Sequence, residues 1–234
     1  MRKISIITIV YNCVNEIEKT INSVISQKNE EVEYIVVDGN STDGTKELIN
    51  KFNNKIDVFI SEKDSGIYNA MNKGIRCATG DYIAFLNAGD WYEPNTINII
   101  LDSIQNKADI DVFYGLVKLW ENKVYIGISG NTINSFPSKM INHPTCFIKS
   151  KIYKNNLFDE SYKSAADYDF LSKIYKTASF FFIEYPLCNF ELGGISSGLI
   201  GGVETNEIQK KYGFITRKQY IKNKLKFFIK GFIN

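Results

Sequence analysis

The chain has 234 residues, 44% of them hydrophobic and 23% charged, which is typical of one globular domain with at most a small extension. Its formal net charge of +2 does not indicate a polyanionic partner, so nucleic acid is not expected. The cysteines have no metal-ligand spacing, which argues against structural zinc and favours reduced thiols in a cytoplasmic protein; they are Cys13, Cys77, Cys146 and Cys188. The apolar run over residues 4–10 is too short to span a membrane, and we predict no signal peptide.

Strand and helix patterns alternate along the first 90 residues. Short β-branched runs predict strands over residues 4–10, 34–37, 58–60 and 82–86. Between them, helices are predicted over residues 16–27, from the capping turn at 40–44 through Phe52, and over 67–78. This alternation predicts βαβ units and a parallel sheet, and therefore an α/β fold.

The pattern changes after residue 90. A helix is predicted over residues 94–104, a strand pair over 112–119 and 123–128, a short strand over 145–149, a helix over 165–176 and a strand over 179–185. Residues 193–202 contain five glycines and two serines and are predicted to form a loop.

Basic charge is concentrated at the end of the chain. Residues 207–234 contain eight basic residues and one acidic residue. Apolar side chains recur there at helical spacing, at Ile221, Leu225, Phe228 and Phe232. A basic amphipathic helix fits an anionic membrane surface. Two alternatives stay open, namely a helix packed on its own domain with solvated lysines, and a dimer interface.

Polar clusters follow the predicted strands of the first half. Because the carboxyl ends of parallel strands share one edge of an open sheet, these clusters predict one ligand site. Tyr11 offers a stacking face for a base, and Asp38 or Asp64 could accept a hydrogen bond from a ring N–H. Thr8 and Asn12 could fix a ribose or a base edge, although a strand end followed by a turn explains them equally well.

A diphosphate at this edge needs a cation or several donors. Asp90 follows the strand predicted over residues 82–86, where it could hold Mn²⁺ or Mg²⁺. Lys73 and Arg76 could assist, but a solvated helix face also accounts for them.

Acidic residues open the helix predicted over 165–176. Group transfer with inversion needs a base that deprotonates the acceptor hydroxyl, and the candidates are Asp167 and Asp169. Stabilisation of the helix dipole is the alternative explanation for both. His143, the single histidine, precedes a predicted strand and is either a site residue or a surface or hydrogen-bonded structural residue.

Taken in order, these motifs resemble those of the family 2 glycosyltransferases. They are Thr-x-x-Tyr-Asn from Thr8, Val-Asp-Gly-x-Ser-x-Asp-Gly-Thr from Val37, Asp-x-Gly-Ile-Tyr-x-Ala-Met-Asn-Lys-Gly from Asp64, Gly-Asp-Tyr from Gly80, Leu-Asn-x-Gly-Asp from Leu86, and Ala-Asp-Tyr-Asp from Ala166. The resemblance covers residues 1–190 and is nearest to bacterial enzymes that extend O-antigen, capsule or exopolysaccharide repeat units.

The resemblance implies a GT-A fold, that is, a single Rossmann-like nucleotide-binding domain with a mostly parallel central sheet. We assign this domain to residues 1–206, with a donor half (1–90) and an acceptor half (91–206). Residues 207–234 are then a basic amphipathic C-terminal extension.

The resemblance also implies roles for individual residues. The donor nucleotide is bound at Thr8, Tyr11, Asn12, Asp38, Asp64 and Lys73. The metal motif, usually Asp-x-Asp, falls on residues 87–90, where Asp90 is the metal ligand and Asn87 a donor contact. Asp167 matches the catalytic base, with Ala166 where the family usually has Glu. Asn69, where relatives often have Asp, is assigned to donor contacts, and His143 and Asp169 to acceptor or phosphate contacts.

The predicted function is inverting, metal-dependent transfer of a hexose or N-acetylhexosamine from a UDP-sugar, with formation of a β-linkage. The expected acceptor is a polyprenyl-diphosphate-linked saccharide, at the inner face of the cytoplasmic membrane. The alternative is a nucleotide-sugar-binding protein with impaired catalysis, favoured only by the reduced metal motif. A nucleotidyltransferase is disfavoured because no glycine- and lysine-rich triphosphate loop follows the first strand, and a dehydrogenase because no GxGxxG follows it.

Overall fold

Four parallel strands form the first half of the sheet, as the alternating pattern predicts. The computed structural model describes residues 3–193 and 198–233. The strands lie in the order β3-β2-β1-β4 and are β1 (Ile4–Val10), β2 (Val32–Asp38), β3 (Val58–Ser61) and β4 (Tyr82–Phe85). The helices between them are α1 (Ile17–Ile25), α2 (Thr45–Asn50) and α3 (Ile67–Cys77).

The second half extends this sheet with strands of both directions. Its strands are β5 (Trp91–Tyr92), β6 (Val112–Glu121), β7 (Val124–Ser129), β8 (Phe147–Lys149) and β9 (Phe180–Glu191). Its helices are α4 (Thr96–Asn106), α5 (Ser150–Asn155), α6 (Ala166–Ile174), α7 (Leu199–Lys211) and α8 (Arg217–Ile233). Across the described ranges the sheet order is β3-β2-β1-β4-β8-β6-β9-β5, with β7 paired to β6. Among the described strands, β5, β7 and β8 run against the others, so the sheet is mostly parallel, as predicted.

Two hydrophobic cores cover the two faces of the sheet. Alternate residues of β1 serve the two faces, since Ile7 and Ile9 belong to one core while Ile6 and Val10 belong to the other. A Cβ on Gly74 would lie 2.5 Å from Ile7 Cγ2, so the glycine lets α3 lie directly on β1. Because α3 follows β3 in the chain, its N-terminal turn lies at the carboxyl edge of the sheet.

The C-terminal part differs from the prediction. Helix α7 begins at Leu199, so residues 199–202 of the predicted loop are helical, and the division drawn at residues 206 and 207 lies inside α7. A Cβ on Gly202 would lie 2.7 Å from Phe227 Cε1, so this glycine lets α8 pack against α7. Residues 194–197 of the predicted loop lie outside the described residues, as does the Phe232 side chain. Strand β5, helix α5 and helix α7 were not predicted.

Candidate active site

Hydrogen bonds join the loops at the carboxyl ends of β1, β2 and β3. Asn12 has a φ of 47°; its backbone N–H donates to Ser41 Oγ (2.8 Å) and its Oδ1 accepts from the N–H of Thr42 (2.9 Å). Asp38, which ends β2, is fully buried, and its carboxylate accepts from the N–H of Ser41 (3.1 Å) and the hydroxyl of Ser61 (2.8 Å). Asn12 and Asp38 therefore stabilise the loops at this edge of the sheet. Their contacts with a donor nucleotide stay predictions.

An aromatic ring and a carboxylate meet at this edge. Tyr11 is 64% exposed, so its ring face is available for stacking. A Cβ on Gly39 would lie 2.7 Å from Asp64 Oδ2 and 3.2 Å from Tyr11 Cδ2, which places both side chains against the same stretch of backbone. The other oxygen of Asp64 accepts from the N–H of Gly66 (3.0 Å), which orients the carboxylate. A flat, exposed ring beside an oriented carboxylate matches the needs of a nucleobase.

The side chains of α3 are held by acidic neighbours. Lys73 pairs with Glu62 (Nζ–Oε1 2.8 Å) and donates to the carbonyl of Lys63 (3.0 Å), so its ammonium group lies beside the segment between β3 and α3. Glu160 accepts hydrogen bonds from the side-chain amides of Asn72 (2.8 Å) and Asn69 (2.9 Å), and these bonds hold its pKa below the usual range. Glu160 thus brings a negative charge next to Asn69. The donor contacts of Asn69 and Lys73 stay predictions.

Asn87 and Asp90 lie in the turn after β4. Gly89 has a φ of +101° within this turn. Asp90 is 5% exposed, and the N–H of Glu191 lies 3.4 Å from its Oδ1. Burial raises the pKa of Asp90 to about 8, because the carboxylate loses solvation inside the protein. Asn87 Oδ1 is buried and has no hydrogen-bond partner in the described structure.

These two residues fit a divalent cation as part of its ligand set. Mn²⁺ and Mg²⁺ prefer oxygen ligands, and Mg²⁺ is commonly held by one or two carboxylates together with substrate phosphates. An unpaired amide oxygen and a desolvated carboxyl supply that chemistry. The described residues contain no group of three or more His, Cys, Asp or Glu that could hold a metal without further ligands. A cation here would therefore need further ligands, which water and diphosphate oxygens can supply.

Asp167 opens α6 beside the N-terminal turn of α3. The Tyr68 hydroxyl lies 3.5 Å from Asp167 Oδ1, and the N–H of Tyr168 lies 2.9 Å from the same oxygen. Burial raises the pKa of Asp167 to about 6, although these N–H and O–H groups act in the opposite direction. The carboxyl therefore lies at the same sheet edge as Tyr11 and Asp64, with a pKa suited to accepting a proton near neutral pH.

Thr8 and His143 are core residues in the structure, contrary to the predicted contacts. Thr8 is fully buried within β1, and its hydroxyl is hydrogen-bonded to that of Tyr34 (3.1 Å). His143 is 5% exposed, stacks on Phe85 with a centroid distance of 5.6 Å, and its Nε2 is hydrogen-bonded to Tyr153 Oη (2.9 Å). Both side chains have polar partners inside the protein, so neither one faces a ligand at the sheet edge.

Asp169 is also structural rather than a ligand contact. It is fully buried, pairs with Lys173 Nζ and Lys211 Nζ (each 2.8 Å), and accepts from the Tyr212 hydroxyl (3.1 Å). These contacts tie α6 to the end of α7. Helix periodicity explains the difference from Asp167, since residues two positions apart point to different sides of a helix.

Two acidic residues of the site carried no sequence signal. Glu160 precedes α6 and binds Asn69 and Asn72, while Glu204 on α7 accepts from backbone N–H groups just before α6. Neither lies in a recognisable motif. Their positions follow from tertiary contacts with α3 and α7 that local spacing does not encode.

Sequence comparison identifies related proteins. The family model described as glycosyl transferase family 2 matches residues 5–174. An uncharacterised glycosyltransferase of Rickettsia typhi is 32% identical over 194 residues, which are 76% of this chain and 60% of that protein. The glycosyltransferase GlyA of Streptococcus pneumoniae is 29% identical over 185 residues, 76% of this chain and 25% of that protein. The chain thus spans 60% of the first relative's length and less of the second's.

Solved structures share the fold. The Staphylococcus aureus protein TarS (residues 1–349), in complex with UDP-GlcNAc, superposes with a TM-score of 0.75 at 22% identity, covering 97% of this chain and 71% of that one. The mannosyltransferase PcManGT from Pyrobaculum calidifontis, with GDP-Man and Mn²⁺, has a TM-score of 0.69 at 14% identity, covering 92% and 65%. At these identities the likeness supports the GT-A architecture.

Proposed function

Because the chain belongs to glycosyl transferase family 2, we propose that it transfers a hexose or N-acetylhexosamine from a UDP-sugar to a saccharide acceptor with inversion, forming a β-linkage from an α-linked donor. The acceptor we propose is linked to polyprenyl diphosphate in bacterial surface polysaccharide synthesis. One observation carries the proposal: Asp167, a carboxyl with a raised pKa, lies at the same sheet edge as Tyr11 and Asp64. TarS shares the fold and has been solved in complex with UDP-GlcNAc, which supports UDP as the nucleotide of the proposed donor.

Asp167 acts as the base in this mechanism. With a pKa of about 6, it is about 90% ionised at pH 7. Its carboxylate takes the proton of the acceptor hydroxyl, whose oxygen attacks the anomeric carbon opposite the leaving group. The bond between the anomeric carbon and the phosphate oxygen breaks, and UDP leaves with the electron pair.

Asn87 and Asp90 would hold the divalent cation. When bound, the metal neutralises charge on the diphosphate leaving group. Tyr11 would stack on the base, and Asp64 would accept from its ring N–H. The protein thus holds the two ends of the donor at neighbouring loops of one sheet edge.

Calorimetric binding of UDP, with and without Mn²⁺, tests the donor class. We expect binding that Mn²⁺ strengthens, and loss of that metal effect in Asp90→Asn but not in Asp102→Asn, a control on the exposed face of α4. A panel of UDP-glucose, UDP-galactose, UDP-GlcNAc and UDP-GalNAc then identifies the preferred sugar. The assay measures the UDP that is released when water accepts the sugar. No binding of UDP in either condition would overturn the proposal of a UDP-sugar donor.

A nucleotide-sugar-binding protein with impaired catalysis is the second candidate. The observation that favours it is Asn87 in place of a carboxylate, which leaves Asp90 as the one acid of the metal motif. Donor binding without UDP release from any sugar of the panel, with or without saccharide acceptors, would support this candidate. Release that disappears in Asp167→Asn would exclude it.

We further propose that α8 associates with an anionic membrane surface. Ile221, Leu225 and Ile229 are between 47% and 58% exposed, one turn apart on the outer side of the helix. Lys218, Lys222 and Lys226 border this stripe. Apolar side chains flanked by lysines match a lipid surface that is both apolar and negatively charged. The described helices include none that is long and apolar enough to cross a membrane.

Flotation with phosphatidylglycerol and phosphatidylcholine vesicles tests this surface. We expect the protein to bind the anionic vesicles in low salt, and Leu225→Asn to lose that binding. Tyr125→Asn, which alters an exposed aromatic residue on β7, should bind like the parent. Equal flotation of all three proteins would overturn the proposal, and a Leu225-dependent dimer in light scattering without vesicle binding would replace it with the dimer interface.

A further inference from the structure

A glutamate on α7 holds the backbone that leads into α6. The Glu204 carboxylate accepts three successive backbone N–H groups, those of Lys163 (2.8 Å), Ser164 (2.9 Å) and Ala165 (3.0 Å). Three charge-assisted hydrogen bonds to adjacent residues fix both the position and the direction of this segment. The last of these residues is two positions before Asp167.

Helix α7 also contacts the residues that follow Asp167. Gln209 Nε2 donates to the Tyr168 hydroxyl (3.3 Å), and Lys211 pairs with the buried Asp169 (2.8 Å). One helix thus holds the first turn of α6 from both sides of the Asp167 position. The family model ends at residue 174, so α7 lies outside the region that it matches.

We propose that Glu204 is a positioning residue for Asp167: its three hydrogen bonds set the path of residues 163–165, so that the Asp167 carboxylate is presented beside Tyr68 at the sheet edge. This inference rests on the proposed role of Asp167 as the base. Glu204 itself touches no reacting atom, because its carboxylate is occupied by backbone N–H groups.

The charge of Glu204 adds a second effect to the positioning. The groups that interact electrostatically with Asp167 are Tyr68 on α3, Cys146 before β8, Tyr153 on α5 and Glu204 on α7. Among these described groups Glu204 is the one carboxylate, and its negative charge raises the pKa of Asp167. Glu204 therefore influences both the geometry and the proton affinity of the base.

Substitution of Glu204 separates this role from general stabilisation of the fold. Glu204→Gln removes the charge and leaves one acceptor oxygen for three N–H groups. We expect UDP binding like that of the parent, and a fall in kcat for UDP release of about 10- to 100-fold with little change in donor KM. The acidic limb of the pH–rate profile, which reports the protonation of Asp167, should shift about half a pH unit lower. The control is Glu207→Gln, whose carboxylate faces α8 through the Tyr220 hydroxyl (2.6 Å) and should leave all three quantities unchanged.

Glu204→Asp keeps the charge but shortens the side chain by one methylene. It should keep the pH midpoint of the parent and lose part of kcat. An unchanged kcat and pH midpoint in Glu204→Gln would overturn the inference. If Glu204→Gln fails to bind UDP, Glu204→Asp becomes the deciding variant, and full activity of that variant would overturn the inference.

Asp167→Asn distinguishes failure of this inference from failure of the proposed function. Loss of turnover in Asp167→Asn, together with normal turnover in Glu204→Gln, overturns the positioning role alone. Normal turnover in Asp167→Asn overturns the assigned base. If the parent releases UDP from no sugar, NMR titration of the Asp167 carboxyl decides, since the inference requires a lower pKa in Glu204→Gln.

Discussion

The buried His143 should make the protein less stable in mild acid. Burial lowers the pKa of His143 from the ordinary 6.5 to about 4. Between these values the unfolded chain binds a proton that the folded protein excludes, so the free energy of unfolding falls as the pH decreases. For this single group, the loss between pH 7 and pH 5 is about 2 kcal/mol, and most of it arises below pH 6.5.

Urea unfolding at several pH values, with His143→Gln as the comparison, measures this effect. The glutamine variant does not titrate and can still hydrogen-bond to Tyr153, but it loses the stacking on Phe85 and should be less stable at pH 7. Other titrating groups contribute equally to both proteins, so the parent–variant difference in unfolding free energy isolates His143. We expect that difference to shrink by about 2 kcal/mol from pH 7 to pH 5. A constant difference would refute the reasoning, because it would mean that His143 titrates alike in both states.

Three further predictions concern the site and its supports. Tyr11→Ala should weaken UDP binding in calorimetry by about 5- to 100-fold, since stacking of a base on an aromatic ring is worth about 1–3 kcal/mol; unchanged affinity would exclude Tyr11 from the base site. Gly39→Ala places a Cβ 2.7 Å from Asp64 Oδ2, so it should displace that carboxylate and weaken UDP binding while leaving the melting temperature within a few degrees; a normal affinity would contradict the assigned role of Asp64. Asp169→Asn should lower the free energy of unfolding in urea by about 2–3 kcal/mol, because it breaks a buried charge pair whose partner Lys211 is half-exposed. Turnover per folded molecule should stay the same. Lost turnover at normal stability would make Asp169 the base.

The donor half of the fold was predictable because its signals are local. Strand β1 was predicted at its observed bounds, Ile4–Val10, since a β-branched run closed by a polar pair has few other structures available. The polar residues after β1 to β4 were placed at one edge by topology alone, and the structure brings Tyr11 and Asp64 together there. The same reasoning failed for Thr8, because the alternation of a buried strand points this side chain at Tyr34 inside the core.

The acceptor half and the C-terminal helices depend on contacts distant in sequence. Helix α7 contains the adjacent Gly201 and Gly202, which disfavour a helix locally, and it persists because Phe227 packs over the glycine surface. Helix spacing alone also could not separate Asp167 from Asp169, since both open one helix and both suit the helix dipole; only the motif resemblance favoured Asp167. The separation comes from α7: Lys211 neutralises Asp169 inside the protein, whereas α7 offers Asp167 only the negative charge of Glu204. Within the described residues Asp169 is the one of these two carboxyls that is paired with lysines, and for this reason we assign the role of base to Asp167.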